Sequence, residues 1–296
     1  MGKRRLGVGR RLGDRAEQDR REGRGRRQED VQFQKLIEVG LALSAETNHE
    51  RLMESILVEA KGMCHADGGT LYLKTEEDDL SFAIMLNDTM KIAMGGTTGV
   101  EIPFPPLPLY DADSGEPNHH NVATHVALDG NSVNVTDAYE TDDFDFSGAK
   151  KFDADTGYRS QSFLTVPLKN YGQDVIGVLQ LINARDAKTG EVGAFDVDLQ
   201  PIIEALASQA AVALDNQLLL DKQRKLLESF IQVIASAIDA KSPYTGGHCQ
   251  RVPVIAEMLA AAACDSESGP FRDFALSEDE QYELYIASWL HDCGKV

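Results

Sequence analysis

From Leu199 to Ala240 the sequence carries one helical pattern without an internal breaker, and that run limits what the chain can fold into. Ile202, Ile203, Leu206, Ala210, Ala213, Leu214, Leu218, Leu226, Phe230, Ile234 and Ile238 recur every three or four residues, the spacing that builds one apolar helical face. About 40 residues at 1.5 Å each make a helix roughly 60 Å long. A small domain cannot cover such a helix, so it is expected to leave its domain and pair with another helix. Ser242-Pro243 and Gly246-Gly247 stop it. The 296 residues also suggest two folded parts, at roughly 150 residues per domain.

Before the long helix the pattern is mixed. Val31 to Cys64 reads as two amphipathic helices, the second capped by Asn48 and carrying Leu52, Met53, Ile56, Leu57 and Ala60. Thr70 to Lys74 and Leu80 to Leu86 read as a hairpin across an acidic turn. Residues 103–108 hold four of the ten prolines and read as loop. Ser132 to Val135 reads as a short strand, Asp137 to Gly157 shows little periodicity, and Ser162 to Leu168 and Asp174 to Asn183 are the strongest strands. Two helices, an antiparallel sheet and an exit helix predict an α+β layer architecture. Beyond the long helix, helical pattern resumes at Arg251 to Ala263 and at Ser277 to Leu290, where Ser277 and Glu280 form a capping box.

Charge separates one segment from the rest. Residues 1–28 carry 11 of the 29 Lys/Arg and 4 of the 48 Asp/Glu. With almost nothing apolar to bury, they are expected to form a disordered basic tail. The whole chain is at net −19, so the remainder is more acidic still, which argues against general nucleic-acid binding. The sequence holds no apolar run of the roughly 18 residues a membrane span needs, and no secretory signal. Cys64, Cys249, Cys264 and Cys293 lack paired spacing and read as reduced thiols. A cytoplasmic protein is expected.

Five segments carry a family resemblance: Ser132 to Tyr139 (SVNVTDAY), Phe152 to Ser160 (FDADTGYRS), Phe163 to Leu168 (FLTVPL), Asp174 to Asn183 (DVIGVLQLIN) and Ser208 to Asn216 (SQAAVALDN). Together they resemble a GAF domain of the cyclic-nucleotide phosphodiesterase and adenylyl cyclase kind, over residues 30–220. The resemblance implies a small-ligand pocket between sheet and loops, with a cyclic nucleotide as effector. It implies backbone contacts to the base from Val122 and Ala123, acceptance from the base edge by Asp153, and closure by Thr156 and Ser160. The other reading of these residues is structural: Thr156-Gly157 is a turn and Asp153 a cap. The sequence departs from the nucleotide-binding branch after Asn183, where Ala184 replaces a Lys, and around Asp196, where the branch's Phe and Glu are missing. The Lys-to-Asp lock of the pocket lid is therefore absent.

The last segment carries metal chemistry. Gly247-His248 opens a helix, and His291-Asp292 follows after a helical spacer. Adjacent His and Asp offer one imidazole and one bridging carboxylate, and a His from another helix completes an N/O set suited to Fe or Mn. A metal pair generates a hydroxide and clamps a phosphodiester. Lys295, four residues after His291, is placed to meet a phosphate oxygen. Tyr244-Thr-Gly-Gly-His248-Cys-Gln-Arg-Val252 together with Leu290-His-Asp-Cys-Gly-Lys295 is similar to the first part of an HD-GYP phosphohydrolase domain. That resemblance implies hydrolysis of a cyclic dinucleotide such as cyclic di-GMP. It assigns His248, His291 and Asp292 as metal ligands, and Asp292 and Lys295 as catalytic. Tyr244 stands where three-metal members have a Glu, which favours two metals.

These readings divide the chain into a tail (1–28), a GAF sensor (30–220), a connecting helix (199–240) and a truncated HD-GYP domain (241–296) holding about a third of that family's fold. On that division the chain alone is expected to be inactive and to dimerise through the connecting helix. A rival metal reading gathers His248, Cys249, Cys264, His291 and Cys293 into a zinc site. The alternative function is a non-catalytic small-ligand binding and dimerisation module.

Overall fold

A computed structural model describes residues 33–241 and 247–293; the basic tail, Tyr244 and Lys295 lie outside the described residues. The architecture is α+β, an antiparallel sheet with flanking helices followed by a long helix and two further helices. The chain divides into two compact units, residues 1–217 and 218–296.

The first unit begins with helix α1 (33–45) and helix α2 (His49–Cys64). Asn48 caps α2 by accepting from the Arg51 amide, and His65 ends it in the left-handed region at φ 51°. Strands β1 (Ala66–Lys74), β2 (Asp79–Asn87), β3 (Ile92–Gly95) and β4 (Leu107–Pro108) come next. Helix α3 (Val122–Asp129), β5 (Val133–Val135) and helix α4 (Ser147–Thr156) lead into β6 (Phe163–Lys169), β7 (Val175–Arg185), β8 (Val192–Gly193) and the 42-residue α5 (Gln200–Lys241). The sheet order is β3-β2-β1-β7-β6-β5, with β4 on β2 and β8 on β7. Its pairings are antiparallel, so hairpins and side connections suffice to build it.

Period-two alternation gives the sheet two different faces. Leu71, Leu164, Val166, Leu179 and Leu181 join Leu52, Ile56, Leu57, Ile203, Leu206 and Ala210 in one core. That core binds α1, α2 and the first part of α5 to the sheet. Gly69 lets α2 approach: an added Cβ would lie 2.8 Å from the Gln180 carbonyl oxygen and 2.8 Å from Leu57. On the opposite face Tyr72, Leu80, Leu109, Ala123, Val126 and Val178 form a second cluster, and Val122, Val135, Phe146 and Phe163 a third. Helix α3 and the segment leading into α4 cover that face.

Helix α4 is the main departure from the periodicity reading, which found little order in Asp137 to Gly157. Its buried member is Asp153, so it has no apolar stripe to detect. Asp145 accepts from the Ser147 amide at 2.8 Å just ahead of it, and Gly157 closes it at φ 73°.

The second unit contains the later part of α5, helix α6 (His248–Cys264) and helix α7 (Glu278–Leu290). Ser277 and Glu280 close the capping box at the start of α7. Gln232 Nε2 on α5 donates to the Tyr285 hydroxyl on α7 at 3.2 Å, and the Arg224 guanidinium lies 3.6 Å over the Tyr282 ring. Leu220, Leu226, Leu227, Phe230 and Val233 on α5 remain exposed, as do Val254, Ile255, Met258 and Leu259 on α6.

Candidate functional site

The covered face of the sheet has a polar floor. Thr70 pairs with Gln180 across β1 and β7, and Gln180 with Thr165 across β7 and β6. All three are buried. The Tyr72 hydroxyl and Gln180 Oε1 lie 3.3 Å apart, and Gln180 Nε2 donates to Thr165 Oγ1 at 3.3 Å. A polar row in an apolar core costs stability unless it is paired. Sequence reasoning missed it. The available signal was one polar residue at an inward position of each of three apolar strands.

Asp153, on α4, is tied to residues on either side of that helix. Its carboxylate is 4% exposed and accepts from the Tyr139 hydroxyl at 2.6 Å, the Ser160 amide at 2.7 Å and the Ser160 hydroxyl at 2.8 Å. Three of roughly four acceptor positions are thereby used. The bond to Asp153 pushes the Tyr139 phenol above its ordinary range, and Arg159 lies 4.3 Å over the Tyr139 ring.

Among the GAF candidates, Asp153 and Ser160 are brought together. Val122 and Ala123 sit buried at the start of α3 in separate core clusters. The Ala123 amide is taken by Asn121 Oδ1 at 2.8 Å. Thr156 is exposed and donates to its own helix at Phe152 O, 2.7 Å away. It does not join the others.

The segment from Tyr158 to Ser162 is tied to β7 by one side chain. Asn183, at φ 59°, accepts from the Gln161 and Ser162 amides at 2.7 and 3.2 Å. It donates to the Arg159 carbonyl and the Tyr158 hydroxyl at 2.7 and 2.8 Å. The Tyr158 hydroxyl donates onward to Asp67 at 2.6 Å. Asp67 is 1% exposed, pairs with Arg185 at 2.8 Å and accepts from Thr89, which Arg185 also contacts. Burial and the bond to Asp67 raise the Tyr158 phenol strongly. Asp196, the other retained family position, accepts from the Asp198 amide ahead of α5. Beside Asp67 lies an open cleft of about 780 Å³ lined by Lys61, Asp88, Lys91 and Arg185. There Lys61 is paired with Asp88 at 2.6 Å.

In the second unit, His248, His291 and Asp292 converge, with one ligand atom from each within 4.8 Å of the others. His248 starts α6 after Gly247, which adopts φ 73°, and His291 ends α7. Their Nε2 atoms are 3.2 Å apart. Asp292 lies 3.3 Å from His291 Nε2 and 4.0 Å from His248 Nε2. His291 Nδ1 is 2.6 Å from the Ser288 carbonyl. That acceptor calls for N–H at Nδ1 and leaves the Nε2 lone pair for the cluster. Asp239 on α5 accepts from the Cys249 amide at 3.1 Å and so fixes the first turn of α6 from outside.

The zinc reading loses its thiols. Cys264 lies sixteen residues along α6 from His248, about 24 Å at the helical rise. Among the described residues the ligand atoms that gather are those of His248, His291 and Asp292, and no thiol joins them.

Among the described residues no helix is long and apolar enough to cross a membrane. The sequence matches the GAF domain family over residues 48–214. It is 44% identical over 62 residues to the dual 3',5'-cyclic-AMP and -GMP phosphodiesterase 11 of Drosophila melanogaster, a stretch covering 21% of this chain and 4% of that protein. The fold is also similar to the GAF domain of an Acinetobacter phosphoenolpyruvate-protein phosphotransferase, at 15% identity and a TM-score of 0.46 over 65% of this chain and 98% of that one. A Neisseria meningitidis free methionine-R-sulfoxide reductase is similar at 16% identity and a TM-score of 0.45, over 64% and 92%. With the family matched across more than half of its length, this chain belongs to the GAF domain family.

Proposed function

We propose that this chain is a cytoplasmic signalling protein in which a GAF sensor regulates a metal-dependent phosphodiester hydrolase site of the HD-GYP type. The domain boundaries follow the sequence reading: sensor 30–220, connecting helix 199–240, hydrolase segment 241–296. The observation that carries this reading is the convergence of His248, His291 and Asp292, which the fold gathers from two helix ends across 43 residues of sequence. Mixed imidazole and carboxylate donors suit Fe or Mn. A bound metal there supplies a Lewis acid for a cyclic dinucleotide phosphate. His291 is held in the tautomer that leaves Nε2 open, Asp292 faces both imidazoles, and Lys295 is assigned to the phosphate.

In the sensor, a cyclic nucleotide is proposed to lie over the Thr70-Gln180-Thr165 row. Val122 and Ala123 would border it, and Asp153, Thr156 and Ser160 would close it. Asp153 serves chiefly by setting the lid. Ligand there is proposed to act through α5, so Leu219→Pro is expected to remove any effect of ligand on the metal site.

The second reading, a binding and dimerisation module without chemistry, draws on the exposed apolar residues of α5 and on a ligand set of three. One titration separates the two. A phosphorothioate analogue of a cyclic dinucleotide is added to the Mn²⁺-loaded chain and to its Asp292→Asn variant. Binding that needs both metal and Asp292 supports the hydrolase reading. Binding indifferent to both, or none, favours the module.

A further inference from the structure

We propose that His119 and His125 form a second site, for one divalent transition-metal ion of the imidazole-binding kind such as Cu²⁺ or Zn²⁺, at the start of α3. Their Nδ1 atoms face each other at 3.1 Å, with ring centroids 5.1 Å apart at 69°. Two nitrogens each about 2.0–2.1 Å from one ion and separated by that distance subtend an angle of about 98°. That angle fits a cis pair of ligands.

Both ligands are held before any ion arrives. His125 sits on α3, its ring against the edge of Phe144 at 5.1 Å. His119 sits on the preceding loop, where its amide donates to the Pro117 carbonyl. That loop is pinned by Asn118, whose amide donates to Leu109 O and whose carbonyl accepts from Thr124 Oγ1 at 2.6 Å. His119 is exposed, so water can complete the coordination shell.

The surroundings favour a cation. The segment carrying Phe144 also carries Glu140, Asp142, Asp143 and Asp145, and the Asp145 amide docks it on the His120 carbonyl at 2.8 Å. Their summed field raises the local cation concentration. An ion held by His119 and His125 cross-links the loop to α3, the helix over the polar row of the sheet.

The test uses the untagged full chain carrying His291→Ala, which removes the cluster of the second unit. Cu²⁺ is titrated calorimetrically and the bound ion is examined by electron paramagnetic resonance. One equivalent with two imidazole nitrogens in its spectrum is expected. Affinity is expected to fall about tenfold or more in His119→Ala, in His119→Gln and in His125→Ala, and to stay unchanged in His120→Ala. Zn²⁺ is expected to slow amide exchange in α3. Because His119 is exposed, its replacement leaves the fold intact and decides the outcome. Unchanged binding in His119→Ala, a spectrum without imidazole nitrogens, or loss through His120→Ala instead overturns the proposal.

Discussion

Replacing Asn183 with Ala tests the tie between β7 and residues 158–162 most severely. The side chain is 2% exposed and satisfies the Gln161 amide, the Ser162 amide and the Arg159 carbonyl at once. Each backbone group left unpaired costs about 1 kcal/mol or more. Asn183 also stands at φ 59°, where Ala is disfavoured by about 1 kcal/mol. Together these give a loss of about 4 kcal/mol, a large part of a typical domain stability of about 5–15 kcal/mol. Asn183→Gly keeps the hydrogen-bond loss but removes the backbone strain, so it is expected to lose about 1 kcal/mol less. Urea unfolding of both variants measures the difference. Amide exchange across residues 158–162 is expected to accelerate in both. A loss below about 1 kcal/mol in Asn183→Ala, or equal losses in the two variants, refutes the assignment of Asn183 as the residue that ties residues 158–162 to β7.

Three further outcomes follow from titration, exposure and surface. Tyr72, Tyr139 and Tyr158 all have phenol values raised above 10.0, so each keeps its proton to higher pH folded than unfolded. Their contribution is complete below the ordinary phenol value and declines as pH rises through the folded values. Urea midpoints are therefore expected to fall between pH 9 and 11, less steeply in Tyr158→Phe, and a flat profile contradicts this. Cys64, pushed up to about 12 by burial, and Cys249 at about 11 are expected to resist iodoacetamide at pH 8 until urea is added, while half-buried Cys264 and Cys293 react. Native labelling of Cys64 ahead of Cys264 counts against the core. The exposed Leu220 and Phe230 on α5 are expected to hold a dimer, so sedimentation should show Leu220→Glu with Phe230→Glu as a monomer; a wild-type monomer at micromolar concentration removes the dimer.

Different parts of this structure were visible in the sequence for different physical reasons. Strands β6 and β7 and helices α2 and α5 announce themselves because burial on one side imposes a period. His248 and His291-Asp292 stand in two short motifs, so the proposed ligands could be named before their separation was known. The hydrogen-bond networks of Asp153 and Asn183 could not be read this way. Asp153 lies in a charged helix without an apolar stripe. Its partners Tyr139 and Ser160, like the Asp67-Tyr158-Asn183 tie, are linked across the fold rather than along the chain. Position 184 carries Ala where the family has a Lys, and Arg185, one residue further along, pairs with Asp67. The polar row of Thr70, Gln180 and Thr165 emerges only when strand register is known, because each residue alone is one polar side chain in an apolar strand.

The most direct test of the account is the Mn²⁺ content of the full chain after equilibrium dialysis, set beside that of His291→Ala and Asp292→Asn. The wild-type chain is expected to bind Mn²⁺ and both variants to lose it, with helix content unchanged because His291 and Asp292 lie at the end of α7 rather than inside it. Equal Mn²⁺ in all three proteins, or none in the wild-type chain, contradicts a phosphohydrolase-type metal site at His248, His291 and Asp292.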